Sequence, residues 1–360
     1  MPLRLHHIYH IFLMDMKQRN ICTLKINTMK NKAIILNSRP EGKPKLSDFK
    51  FINEEIPEIT NGEILLKIKY VSVDPYLRGR MSDAESYVKP FELKKVISSG
   101  VVAEVIESKT EKYKAGDFVS GLLEWKEYQQ SDGNGLLKID KKIAPLSAYL
   151  GILGMTGLTA FFGLTEIGVP KKGETIVVSG AAGAVGSIVG QIGKISGCRV
   201  VGIAGTDKKV EMLKSKFGFD EAINYNTTKN MKKAISDVCP NGVDVYFDNV
   251  GGKISDAVHS NINRLARIIV CGAISSYNNT SLQLGPRAEH FLIRKSALMQ
   301  GFIVSNYAEK FPDGIKQLSQ WLKEGKLSYT ETIMEGFDLI PTAFIGLFDG
   351  KNKGKMIVKI

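Results

Sequence analysis

Between Met29 and Cys198 this chain of 360 residues has neither cysteine nor histidine. Zinc sites depend on thiolate or imidazole ligands, so the first domain, from Met29 on, cannot build a catalytic or a structural zinc centre. Cysteine is scarce throughout: Cys22, Cys198, Cys239 and Cys271 stand alone, with no C-x-x-C pair. The last three fall within strand and helix patterns, which predicts buried free thiols in a reducing compartment and a cytoplasmic protein. Also missing is any apolar run long enough for a membrane span. The net charge is +12, yet no basic run with interleaved aromatics and no nucleic-acid motif occurs. Residues 1–30 supply +4 of that charge, from Arg4, Lys17, Arg19, Lys25 and Lys30 against Asp15, and the rest is spread thinly. A basic surface that attracts a phosphorylated cofactor accounts for the excess. RNA binding, or cofactor binding without catalysis, is the alternative.

What is present is the composition of an ordinary soluble globular protein, 43% hydrophobic and 24% charged, at a length that accommodates two domains. Residues 1–28 stand apart. They hold three of the five histidines and a short apolar patch that His10 interrupts. The patch is too poor for a secretory signal, and no small-residue cleavage site follows. The expectation is that translation starts at Met29 or that this leader is disordered. From Lys32 to Asp140 the pattern is β. Residues 63–73 alternate most clearly, with Ile64, Leu66, Ile68 and Tyr70 on one face and Lys67 and Lys69 on the other. Further strands are predicted at 96–108, 117–123 and 125–131, giving a twisted, barrel-like antiparallel domain.

Residues 146–167 turn helical, and 175–202 then read TIVVSGAAGAVGSIVGQIGKISGCRVVG. A short β-rich run enters Gly180, Gly183 and Gly186 at three-residue spacing, a helical run follows, and a second strand begins at Arg199. Strand, glycine turn, helix and strand form the opening βαβ unit of a dinucleotide-binding fold. A Cβ at Gly183 would hold the backbone off a pyrophosphate, and one at Gly186 would hold the helix off the sheet. The spacing is G-x-x-G-x-x-G, since Ala181 occupies the place of the usual first glycine. An α/β turn that binds nothing is the bland alternative. More strands are predicted at 221–225, 243–249, 267–272 and 297–304, with helical patterns between the first three: the alternation of a doubly wound parallel sheet, an α/β fold. The chain is helical from 306 to about 323, and the tail 355–360 reads as a strand returning to the first domain.

Cofactor choice turns on the end of the second strand. An NAD enzyme places a carboxylate there for the ribose hydroxyls. Here Gly205 and Thr206 form the corner, followed by Asp207, Lys208 and Lys209. Asp207 is a rival ribose ligand, but it opens a helical run, where an acidic side chain serves the helix start. Two lysines beside a small-residue corner suit the 2′-phosphate of NADP, and equally a solvated helix face.

Eight segments carry a resemblance: VSVDPYLRGRM (71–81), MTGLTAFFGL (155–164), GAAGAVGS (180–187), FGFDEAINY (217–225), VYFDNVGG (245–252), CGAISSYN (271–278), QGFIV (300–304) and GKMIVKI (354–360). From Met29 to Ile360 the sequence resembles the zinc-independent medium-chain dehydrogenases/reductases, in the branch of 2-alkenal double-bond reductases and oxo-prostaglandin reductases. The resemblance implies a GroES-like, mostly β substrate domain over 29–150 plus 306–360, and a Rossmann domain over 151–305. It further implies NADPH-dependent reduction of an α,β-unsaturated aldehyde or ketone, and a homodimer paired through the sheet edge 297–304. A quinone reductase of the same superfamily is the nearest rival.

Residue by residue, the resemblance puts the pyrophosphate on Ala182, Gly183, Ala184 and Val185, and the 2′-phosphate on Lys209 and Tyr225. Asn249 faces the nicotinamide half, although it would also serve to cap the Gly251–Gly252 turn. Cys271, Gly272, Ala273, Ile274, Ser275 and Tyr277, then Phe302, Ile303 and Val304, line the nicotinamide pocket, and Asn352 touches the cofactor near the C-terminus. Tyr76 belongs to the substrate pocket. Tyr277 is the candidate proton-handling residue: hydride attack at the β-carbon puts charge on the carbonyl oxygen, and a neutral phenol aimed there stabilises it. The cofactor's ribose hydroxyl is the alternative donor. Departures from the family pattern are Gly180 in place of alanine, Ser98-Ser99-Gly100 in place of a more glycine-rich run, and Glu124-Trp125 in place of Gly-Trp.

Overall fold

The computed structural model describes residues 30–360, so the expectation for residues 1–28 lies outside the described residues. The N-terminal strands are β1 (Asn31–Leu36), β2 (Phe49–Glu54), β3 (Ile64–Ser72), β4 (Ser98–Ser108), β5 (Phe118–Glu124), β6 (Tyr128–Ser131) and β7 (Leu137–Ile139). The alternating half supplies β8 (Thr175–Ser179), β9 (Arg199–Ala204), β10 (Glu221–Asn224), β11 (Val243–Asp248), β12 (Ile262–Val270) and β13 (Leu298–Gly301). The chain ends in β14 (Glu331–Glu335) and β15 (Lys355–Lys359).

β1 and β2 pair as an antiparallel ribbon. The larger N-terminal sheet runs β14-β15-β3-β4-β5-β7, with β6 against β3. It is antiparallel except at β14 and β15, which pair parallel. In β3 the alternation holds through Ile64, Leu66 and Ile68, all fully buried. An irregularity between Ile68 and Tyr70 then shifts the register. Beyond it Val71 takes the core face, and Tyr70 packs against the core of the other half.

The second sheet runs β10-β9-β8-β11-β12-β13, and every pair in it is parallel. Strand order reverses beside β8, which is the switch point where ligands meet an open α/β sheet. All five residues of β8 are buried, as a strand covered on both faces requires. Gly186 opens the helix Gly186–Ile195 directly against the turn. A Cβ there would sit 2.5 Å from the Gly180 carbonyl oxygen and 2.7 Å from Ala181 Cα, so only glycine lets helix and turn approach this closely.

The tail and the last long helix part company. β15 hydrogen-bonds antiparallel to β3 and so lies in the first sheet. The helix Phe311–Lys323 packs on the helix Met155–Phe162 instead, with Leu318 fully buried in the core that also holds Leu158 and Phe162. The Ser328 N–H still bonds Gln191 in the nucleotide half at 2.8 Å. An apolar helix face goes where its complementary core lies. We therefore propose that the second domain runs past 305 to Ser328 and that the first resumes only at β14. No helix among the described residues is long and apolar enough to cross a membrane.

Candidate active site

A cleft of about 1520 Å³ opens where the C-terminal ends of the parallel strands face the first sheet. Its floor is the glycine turn between β8 and the helix Gly186–Ile195. Gly180, Ala182, Gly183, Ala184, Val185 and Gly186 all line it. Among the described residues, the N–H groups of Ala184, Val185 and Gly186 meet no backbone or side-chain acceptor. Unpaired donors at the positive end of a helix are what an anion needs. From the other side, the Gly354 N–H reaches the Ala182 carbonyl at 2.8 Å. That bond seats the loop before β15 on the turn, with Asn352 beside it donating to the Gly354 carbonyl at 2.8 Å.

At one end of the cleft lie Gly205, Lys209 and Tyr225. The corner is small for a reason: a Cβ on residue 205 would fall 2.7 Å from the Tyr225 hydroxyl. Thr206, not Asp207, caps the following helix, its hydroxyl accepting the Lys209 N–H. Asp207 turns away and accepts from Asn224 Nδ2 at 2.7 Å. The Lys209 ammonium donates to the Gly350 carbonyl at 2.8 Å. Burial, with Lys353 nearby, lowers its pKa from the ordinary lysine value. Among the described residues no carboxylate pairs with it, so this is a cation short of an anion.

The other end is aromatic and apolar, with Phe302, Ile303, Val304, Met155 and Leu122 on its walls. Phe302 is held edge-on to Phe247 of β11, ring centroids 6.4 Å apart. Cys271, Gly272, Ile274, Ser275 and Tyr277 line the crevice, whereas Ala273 does not. The Ala273 N–H instead donates to the Tyr277 hydroxyl at 3.2 Å. That contact uses a lone pair of the phenol, and its O–H donates to no described residue. Burial, and behind it Cys271 and Asp248, raise the Tyr277 pKa above the usual 10. Tyr76 lines the same cleft from the first domain. Burial and then Asp74 push its phenol well above the ordinary range. Both phenols are neutral at physiological pH.

Asn249 does not cap the glycine pair. Its N–H goes to Ser179 Oγ at 2.9 Å and its Nδ2 to the Ser179 carbonyl at 2.8 Å. Capping falls to Asp248, which takes the N–H groups of Val250 and Gly251 at 2.9 Å each. One departure from the family pattern, Ser99, meets the tryptophan beside another, Glu124, in the first domain. Trp125 Nε1 donates to Ser99 Oγ at 2.8 Å, and that hydroxyl donates to the Ser72 carbonyl at 2.7 Å. The serine thus satisfies a buried indole.

Several lining residues escaped the sequence reading. Arg80 sits one helical turn after Tyr76, its guanidinium 3.9 Å from the Phe91 ring centroid. Tyr87 lines the cleft near Tyr277, and burial, then the Tyr277 phenol, raise its pKa above the usual 10. Lys355 and Asp74 form a buried ion pair at 2.9 Å in the wall. The Lys355 ammonium also donates to the carbonyls of Val73 and Met356, which exhausts its three hydrogens. It holds the wall and has none left for a substrate. The spacing of Arg80 from Tyr76 on a helix was a signal available in DPYLRGR. Nothing local marks Tyr87.

Residues 32–139 match the family described as the N-terminal domain of oxidoreductase, and residues 184–322 that described as zinc-binding dehydrogenase. Among the described residues no three His, Cys, Asp or Glu side chains gather as metal ligands would. YfmJ of Bacillus subtilis is 58% identical over 335 residues, covering 92% of this chain and 98% of its own. The NADP(+)-dependent 2-alkenal reductase of Nicotiana tabacum is 44% identical over 336 residues, covering 92% of this chain and 97% of its own. CurA from Vibrio vulnificus, crystallised in complex with NADPH, superposes with a TM-score of 0.88 at 44% identity, covering 91% of this chain and 98% of that one. With the discontinuous β domain, the parallel six-stranded sheet and the glycine turn at its switch point, these likenesses make the chain a member of the zinc-independent medium-chain dehydrogenase/reductase family, in the branch of the 2-alkenal reductases.

Proposed function

We propose that this protein binds NADPH and reduces the C=C bond of α,β-unsaturated aldehydes and ketones. The observation that carries the reading is the pairing of two ends in one cleft: a lysine beside Tyr225 whose hydrogen-bond partner is a neutral carbonyl, and the neutral phenols of Tyr277 and Tyr76. The relatives named for alkenal reduction and for NADPH binding support it.

The residues present fit the cofactor. The orphan N–H groups of the turn suit a pyrophosphate, and Lys209 with Tyr225 suits a 2′-phosphate. Bound NADPH would supply a hydride to the β-carbon. The chain does the rest. Tyr277 keeps its proton because burial raises its pKa, and its unengaged O–H is the donor for the carbonyl oxygen on which charge develops. Tyr76 offers a second O–H from the facing domain. Leu122, Met155 and Phe302 surround this end with apolar surface, which strengthens any hydrogen bond made there. No step calls on a metal-bound water. β13 is the edge of its sheet, with β12 its sole strand neighbour among the described residues, and we propose that a homodimer pairs there.

Purified protein given NADPH with an enone, and separately with a quinone, tests the reading. Conversion of the enone to the saturated carbonyl compound is expected. Turnover of the quinone alone would transfer the protein to the quinone reductases.

A further inference from the structure

Asp248 closes β11 behind the wall of the cleft, only 4% exposed, and five donors converge on its carboxylate. Oδ1 accepts the hydroxyls of Ser179 and Tyr246 at 2.8 Å, and the N–H groups of Val250 and Gly251 at 2.9 Å. The Ser255 hydroxyl closes on Oδ2. The backbone carbonyl of Asp248 receives two more, from Cys271 N–H at 2.9 Å and Gly272 N–H at 3.1 Å. Ser179 in turn holds both the N–H and the side-chain amide of Asn249. One residue therefore ties together the ends of β8, β11 and β12 and the start of the helix Gly252–His259.

A carboxylate is costly to bury, and its burial is offset only where its lone pairs are satisfied. Packing alone would be served by an apolar side chain. What Asp248 gathers is specific: Asn249, Val250, Gly251, Cys271 and Gly272 all line the cleft beside Tyr277. We propose that Asp248 is a positioning residue for the nicotinamide half of the site, fixing the three strand ends in the one arrangement that receives the ring and faces it to Tyr277. This rests on the NADPH reading above.

The charge has a consequence of its own. Tyr246 on β11, Cys271 after β12, Tyr277 beyond it and His259 on the helix all feel Asp248, and Asp256 adds to the field at His259. Burial, then Asp248, pushes the Cys271 thiol up to about 12, so the cleft wall carries a neutral thiol. Across the cleft Tyr87 faces Tyr277. Asp248 thus favours the protonated form of the proposed donor as well as its place.

The test compares two probes on the full chain. Adenosine 2′,5′-bisphosphate fills only the Lys209–Tyr225 end, whereas NADPH needs both ends. In Asp248→Asn the bisphosphate should bind within about twofold of the parent, NADPH about tenfold more weakly, and kcat with an enone should fall by a larger factor. Asp248→Glu, which keeps the charge, should recover part of kcat. Equal losses for both probes, or unchanged NADPH binding and kcat, would overturn the assignment. If the asparagine variant does not fold, Ser255→Ala removes one donor and keeps the carboxylate; a loss of about threefold confined to NADPH is then expected, and no difference between probes would overturn it. A parent protein that binds neither probe would instead remove the NADPH reading, and this inference with it.

Discussion

Lys209 donates its ammonium to the carbonyl of Gly350, 2.8 Å away, although 141 positions separate them in the chain. The bond spans the cleft at the end where a 2′-phosphate would sit. A carbonyl is a neutral partner, and a phosphate in its place would add the attraction of an opposite charge to the ammonium's hydrogen bond.

Lys209→Ala should therefore raise KM for NADPH by about tenfold to a hundredfold and leave KM for NADH within about threefold. Steady-state kinetics with both cofactors checks this. Equal changes would undo the phosphate assignment.

Tyr277→Phe removes the donor O–H and, with the oxygen, the acceptor of the Ala273 N–H, while the ring keeps its place. NADPH affinity should be unchanged, and kcat should fall by about a hundredfold. Because the folded pKa of Tyr277 lies above 10, wild-type kcat should hold level up to pH 10 and decline only beyond it. The phenylalanine variant should lack that decline. An unaltered kcat would shift the proton to another donor.

Gly186→Ala places a methyl group against backbone, 2.5 Å from the Gly180 carbonyl oxygen, where no side chain can swing aside. A destabilisation of about 1–3 kcal/mol is expected, with weakened NADPH binding as the turn opens. Thermal unfolding with and without NADPH measures both. Full stability and full affinity would contradict the packing account of this turn.

Burial lowers the His259 imidazole below its usual 6.5, against the pull of Asp248 and Asp256. The unfolded chain takes up this proton more readily than the folded one. Stability is therefore full above about pH 6.5 and falls as pH drops from there towards the folded pKa, by at most about 1.4 kcal/mol per unit. Urea unfolding of wild type and His259→Gln at pH 7.5 and 5.5 should show a smaller loss on acidification in the variant. An identical loss would place the acid sensitivity elsewhere.

Much of the frame was legible because periodicity reports which face is buried. The alternation of Ile64, Leu66 and Ile68 gave β3, and it failed at Tyr70 because an irregular pairing shifts the register without a sequence mark. β12 starts at Ile262, five residues ahead of expectation. Between the Val243–Ile262 and Val245–Arg267 pairs its chain bulges, with Leu265 at a φ of 62°, and a bulge breaks the alternation by which strands are recognised. Residues 146–167 read as one helix, yet a break between Leu150 and Met155 divides them, and the last turn is a π-helix over Gly163–Gly168.

At the site, residues on strand ends were legible and residues brought by folding were not. Gly183, Lys209, Asn249 and Tyr277 follow strands within a few positions, so the sheet itself delivers them to the cleft. The Gly350 carbonyl and Tyr87 arrive on loops from the first domain, which no local pattern aims. Asp248 did leave a trace. It is an acidic residue at the end of an otherwise apolar run, VYFD, and a buried carboxylate there needs a set of donors that sequence alone does not display.

The most direct measurement follows a label. NADPH carrying deuterium at the transferable position of its nicotinamide is supplied with a simple enone, and the product is read by NMR. One deuterium on the former β-carbon of a saturated carbonyl compound is the predicted result. Deuterium on the carbonyl carbon of an allylic alcohol, or a saturated product with none, would contradict it.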